Sequence, residues 1–78
     1  MSLEGERTMR ERQVYEALRK AGEKWVKRSE LAKLLGRDRL YQLDLEALAT
    51  LEAKGQIEVE RRPDPRPSGY VAFYRARR

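Results

Sequence analysis

SELAKLLG at residues 29–36, LEALATLEAKG at 45–55 and IEVERR at 57–62 set the architecture expected of this chain, because the hydrophobic spacing changes between them. In the first run Leu31, Ala32, Leu34 and Leu35 supply the buried stripe of a short helix, with Ser29 as N-cap, Glu30 in the first turn and Gly36 as stop. Around the second run, Leu40, Leu43, Leu45, Ala47, Leu48, Ala49, Leu51 and Ala53 predict a helix over 40–54 with a wide buried face. Asp38 is placed to cap it and Gly55 to end it. Past Gly55 the period falls to two: Ile57 and Val59 are apolar, Gln56, Glu58 and Glu60 polar, which predicts a strand with one face on the core.

Upstream, Thr8-Met9-Arg10-Glu11 has the form of a capping box, so an amphipathic first helix is expected to start at Thr8. Its apolar side carries Val14, Leu18 and Ala21 with Tyr15 beside them, its polar side Arg12, Glu16, Arg19, Lys20 and Glu23, and Gly22 stops it. Trp25-Val26-Lys27 is too short for a helix and reads as a linker or a one-bridge strand. Downstream, Pro63, Pro65, Pro67 and Gly69 exclude both helix and central strand. The alternation in Tyr70-Val71-Ala72-Phe73-Tyr74-Arg75 predicts a strand returning antiparallel to 56–61. The expected class is α+β, in the order α-β-α-α-β-β, with three helices and a C-terminal antiparallel sheet of two or three strands. The expected organisation is a flexible stretch at 1–7, one domain at 8–76 and a basic tail at 77–78.

Composition narrows the chemistry. Seventy-eight residues suffice for one small domain, without room for a cofactor domain. The absence of Cys excludes disulfide scaffolds, thiol nucleophiles and thiolate metal sites, and the absence of His removes the commonest general base and zinc ligand. With no phosphate loop either, the chain is not expected to be an enzyme, and no metal or organic cofactor is expected. No apolar run has the length of a signal peptide core or a membrane span, so a cytoplasmic protein is expected. Arg outnumbers Lys, Asn is absent and charge is dense, which resembles a thermophile's composition or that of a GC-rich genome. The formal charge of +5 favours a polyanionic partner, although a similar surplus also serves solubility.

SELAKLLG, then a turn, then LEALATLEAKG, then Ile57-Glu58-Val59-Glu60-Arg61-Arg62 resembles the winged helix-turn-helix superfamily of bacterial DNA-binding domains, over roughly residues 9–76. The interval from Gly36 to Gly55 is about two residues longer than in compact regulators of that family. That spacing, with a proline-bearing wing, is also similar to winged-helix tails of bacterial replication and mobile-element proteins. The resemblance implies double-stranded DNA as partner, in transcription regulation or a replication accessory role, with the third helix in the major groove and the hairpin tip as a wing on the backbone or minor groove.

On that expectation, Arg37, Arg39, Tyr41 and Gln42 are the candidates at the third helix and the preceding turn, Arg39 suited to guanine and Gln42 to adenine. Arg61, Arg62 and Arg66 are the wing candidates, stiffened by the prolines, and Lys27 and Arg28 are placed for phosphate at the start of the second helix. Tyr15, Trp25, Tyr70, Phe73 and Tyr74 could form a stacking platform for single strands, but buried-looking positions favour the core. Charge distribution tempers the groove assignment: residues 1–36 hold nine cations and six anions, 37–54 three and four, and 55–78 six and three. The helix expected to read bases is thus the acidic part of the chain. A protein-interaction module docking through that helix, with its small Ala49 and Ala53, is the competing class. Pairing of two copies through the first helix is also open, since one such domain buries little surface on DNA.

Overall fold

A computed structural model describes residues 3–65, 67 and 69–77. The elements are α1 (Leu3–Lys20), β1 (Val26–Lys27), α2 (Arg28–Leu34), α3 (Gln42–Ala53), β2 (Ile57–Pro63) and β3 (Tyr70–Ala76). The class is α+β, with three helices on one face of a three-stranded antiparallel sheet ordered β1-β3-β2. Val26 pairs with Tyr74 on one edge of β3, and Val59 pairs with Tyr74 on the other. Each helix contributes one stripe to a single core: Val14, Ala17 and Leu18 from α1, Leu31 and Ala32 from α2, Ala47, Leu48 and Leu51 from α3. Val26, Ile57, Ala72 and Tyr74 close it from the sheet side.

Several boundaries differ from the sequence expectation. The first helix begins at Leu3, so Thr8 lies inside it and residues 3–7 are helical instead of an irregular lead. Glu6 in these early turns complements the helix dipole, and Gly5 costs too little to end the helix. The second helix begins at Arg28, with Lys27 in place of Ser29 at its cap. Pairing of β1 with β3 holds Lys27 extended, and the Lys27 amide donates to Glu30 Oε1 at 3.3 Å. Leu34, expected in the core, is 51% exposed. At about 100° per residue, Leu31, Ala32 and Leu35 cluster on one side of this two-turn helix and Leu34 falls outside their arc.

The third helix is shorter than 40–54, and Asp38 does not cap it. Tyr41 is the cap residue, and its amide donates to Asp44 Oδ2 at 2.7 Å, while the Asp44 amide donates to the Tyr41 carbonyl at 3.0 Å. Gly36 and Gly55 stop α2 and α3 as expected, with φ of 76° and 73°. In each case the glycine and the residue after it bond back to the last turn, Arg37 to Ala32 and Gln56 to Leu51, a geometry that needs the left-handed conformation a side chain resists. Of the five aromatic residues weighed for the core, only Tyr74 is fully inside; Tyr15 packs partly buried against it, and Tyr70 is 48% exposed. Trp25 and Phe73 lie on the opposite side of the sheet, because alternation along β3 sends Tyr74 and Ala72 inward and Phe73 outward.

Among the described residues the one charged group in the core is Asp44, which is fully buried. Arg10 of α1 donates to Oδ1 at 2.8 Å, and Arg37 from the α2–α3 turn donates to Oδ2. Burial alone would raise the Asp44 pKa, but the bonds from Arg10, Tyr41 and Arg37 outweigh it and hold the carboxyl below its ordinary value. A depressed folded-state pKa contributes stability that is present above the unfolded value and lost as pH falls through the folded one. Asp44→Asn is expected to lower stability by roughly 3–5 kcal/mol, toward the lower end because both arginines keep some solvent. Urea titrations at neutral pH measure this. Repeated below about pH 4, they should show the wild-type losing stability more steeply than the variant.

Candidate nucleic-acid interface

The turn between α2 and α3 carries the first cluster. Arg37 packs its guanidinium over the Tyr41 ring, 4.8 Å from the centroid, and with only 17% of its side chain exposed it belongs to the Asp44 site. That engagement withdraws it from the free cations expected here. Arg39 is exposed and, among the described residues, makes no ion pair; Tyr41 is half exposed and Gln42 exposed beside it. Two arginines around one carboxylate leave a unit of positive charge at the N-terminal end of α3, where the helix dipole has the same sign.

Along α3 the solvent face is Gln42, Glu46, Ala49 and Ala53, at helical spacing. Gln42–Ala53 contains Asp44, Glu46 and Glu52 and no Lys or Arg. A shallow groove runs between this helix and α1, lined by Arg7, Glu11, Leu43, Glu46, Ala47, Ala49 and Thr50. Lys54 closes its end through an ion pair to Glu11 at 3.0 Å.

The base of the β2–β3 hairpin is a second cluster, and its cations already have partners. Arg61 Nη2 lies 3.5 Å from Glu52 Oε1 of α3, and Arg62 Nη2 lies 3.1 Å from Glu60 Oε2. Bonding to these carboxylates raises both guanidinium pKa values, and the bond from Arg62 lowers that of Glu60. Arg66, the third wing candidate, lies outside the described residues. Arg61 and Arg62 can each exchange a carboxylate for a phosphate at small cost, since exposed pairs of this kind are weakly held.

Lys27 and Arg28, expected at phosphate, are exposed at the start of α2, each with a partner of its own. Glu30 already accepts from the Lys27 amide there and holds Lys24 at 3.6 Å, so a carboxylate occupies the helix end. Arg28 Nε donates to the buried Tyr74 hydroxyl at 2.9 Å. Lys27 instead turns toward Phe73, its ammonium 5.8 Å from the ring centroid, with Arg62 4.2 Å from the same ring. The expected basic tail is also tied down at its first residue: the Arg77 amide donates to the Gln56 carbonyl at 2.9 Å, and its side chain lies 3.6 Å from Glu58.

Sequence reading missed Arg10 and Asp44. The available signal was the Tyr41-x-x-Asp44 spacing, a carboxylate three residues after an extended residue, which is the pattern of a capping box. It weighed Trp25 and Phe73 for a stacking platform and favoured the core, whereas neither is in the core, because the strand register sets the face that each takes.

Comparison of the chain with protein-family models, with curated proteins and with solved structures finds no match. Among the described residues no helix is long and apolar enough to cross a membrane. Glu52→Gln, which releases Arg61, is expected to change stability by less than about 1 kcal/mol. Urea denaturation decides this, and a larger loss would mean that the pair fastens the wing to α3.

Proposed function

We propose that this chain is a winged helix-turn-helix module that binds double-stranded DNA, in transcription regulation or as an accessory to replication. The supporting observation is the pairing of exposed, unpaired Arg39 with Tyr41 and Gln42 at the positive end of α3, in a fold whose β2–β3 hairpin carries exchangeable arginines. In this reading the N-terminal end of α3 enters the major groove, so that Glu46 stays clear of phosphate. Arg39 donates to a base edge, Gln42 to a second, and the Asp44 cluster supplies a fixed charge for the backbone. Arg61 and Arg62 move from Glu52 and Glu60 to phosphates, which fixes orientation without reading sequence.

A gel-shift titration against random and selected duplexes at low salt tests this. Arg39→Ala is expected to reduce sequence preference. Arg61→Ala and Arg62→Ala should weaken binding to all duplexes equally and lower the salt slope by about one each. Absence of any shift at micromolar protein would sink the proposal, since nonspecific binders register there.

A second reading, docking on protein, is favoured by one observation: the solvent face of α3 has no cation and presents Ala49 and Ala53 beside the α1–α3 groove. Small residues let another helix approach closely. Gln42→Glu, at the end of α3 that enters the groove, separates the two. It is expected to weaken duplex binding by about ten-fold if that end lies on DNA, and to leave it unchanged if α3 meets protein.

A further inference from the structure

We propose that the outer face of the sheet is a second binding surface, which takes single-stranded nucleic acid by stacking bases on the Trp25 and Phe73 positions. This face shares Arg62 and Glu60 with the hairpin contacts of the duplex reading but includes neither Arg39 nor α3, and the proposal does not rest on duplex binding.

The face is assembled by register. Lys27 of β1 stands opposite Phe73 of β3, and Glu60 of β2 stands opposite the same residue from the other side. Two residues along β3, Arg75 faces Glu58 and places its guanidinium 4.4 Å from the centroid of the Trp25 ring. Trp25 and Phe73 are each half-buried and outside the core, so both rings meet solvent while being held in place by cations. A sheet face that meets only water carries polar residues at such positions.

Spacing and charge select the occupant. Trp25, just before β1, is level with Arg75, so the two aromatic positions lie diagonally across neighbouring strands, about 7–8 Å apart. A nucleic-acid strand inside a duplex rises about 3.4 Å per nucleotide. Bases resting at both positions therefore need a strand drawn out to about twice its duplex rise, which an unpaired strand adopts and a paired one does not. Arg62 and Arg75 hold their guanidinium groups over the rings, so a base stacks on the guanidinium or takes its place on the ring. Lys27, Arg62, Arg75 and Arg77 stand against Glu23, Glu58 and Glu60, a surplus of one positive charge. Lys27, among the described residues, has no carboxylate partner and can turn to phosphate. The glutamates oppose phosphate, so affinity should be modest and fall with salt. An acidic peptide would answer the charge and leave the ring faces without a stacking partner.

The chain has a single tryptophan, Trp25, so its emission reports directly on this face. The whole chain is titrated at low salt with an oligothymidylate of about 12 nucleotides, within the usual length for a small single-strand site. Expected are saturable quenching in the micromolar range, binding weakened about ten-fold in Phe73→Leu, which keeps the apolar bulk and removes the stacking face, and no change in Arg39→Ala. The proposal is overturned by no quenching at about 100 μM oligonucleotide, weaker than ordinary nonspecific contact; by equal quenching with a duplex of the same length or with polyglutamate; or by unaltered binding in Phe73→Leu. If circular dichroism shows that Phe73→Leu does not fold, Lys27→Gln replaces it. The salt slope should then fall by about 0.7, the value for one phosphate on a single strand, and an unchanged slope overturns the proposal. Loss of duplex binding in the gel shift, with this quenching intact, leaves the single-strand surface standing alone.

Discussion

A carboxylate with no solvent contact, Asp44, fastens the three helices to one another. It sits in the first turn of α3, takes a guanidinium from the middle of α1 and another from the α2–α3 turn, and accepts the amide that starts its own helix. A buried ion of this kind is expensive by itself, and a hydrophobic residue of similar size would often be as stabilising. What it adds is position. Leucines slide over one another with small changes in energy, whereas two bidentate-capable donors and one amide around one carboxylate allow few arrangements. The placement of Tyr41, Gln42 and Arg39 at the end of α3 is inherited from that restriction.

The sequence made the element order legible, and with it most of the core. Helical spacing in 31–35 and 40–53, the change to alternation at Ile57, and the glycines at 36 and 55 are local signals, readable because each depends on a few adjacent residues. The aspects that escaped are those set by contacts distant in the chain. Asp44 looks like one more charged residue on an amphipathic helix until Arg10, thirty-four positions away, is brought to it. Leu34 matches a buried stripe by composition, yet the arc closed by Leu31, Ala32 and Leu35 excludes it. Phe73 and Tyr74 are adjacent aromatics of similar propensity, and only the pairing of β3 with β1 and β2 assigns one to the core and the other to solvent. Among the candidate contacts, Arg39, Tyr41 and Gln42 came out exposed together, while Arg37 went to the interior and Lys27 to the sheet.

The charge surplus has a different meaning once the partners are known. Most cations of the hairpin face a glutamate one rung or one element away: Arg61 with Glu52, Arg62 with Glu60, Arg75 and Arg77 with Glu58. Such pairs keep long side chains extended along the surface. They add little stability in water, and a polyanion that supplies stronger partners can replace the glutamates without reorganising the backbone. On the hairpin the positive charge is therefore less a fixed field than a set of side chains held ready in outline, while Arg39 and Lys27 are two cations that, among the described residues, have no carboxylate to give up.

The sheet order β1-β3-β2 places the last strand of the domain between the other two. Neither β1 nor β2 has a hydrogen-bonded neighbour until β3 arrives, so nothing in the sheet can assemble before the chain reaches Tyr70, and β1 cannot join before Phe73 and Tyr74. The helices can collapse earlier on local contacts, but the pairing of Val26 with Tyr74 closes a loop of nearly fifty residues, a slow and entropically costly step. During synthesis the domain should thus wait as a helical, sheetless intermediate with Leu31, Leu48 and Leu51 incompletely covered, and become protected only when β3 inserts between its two neighbours.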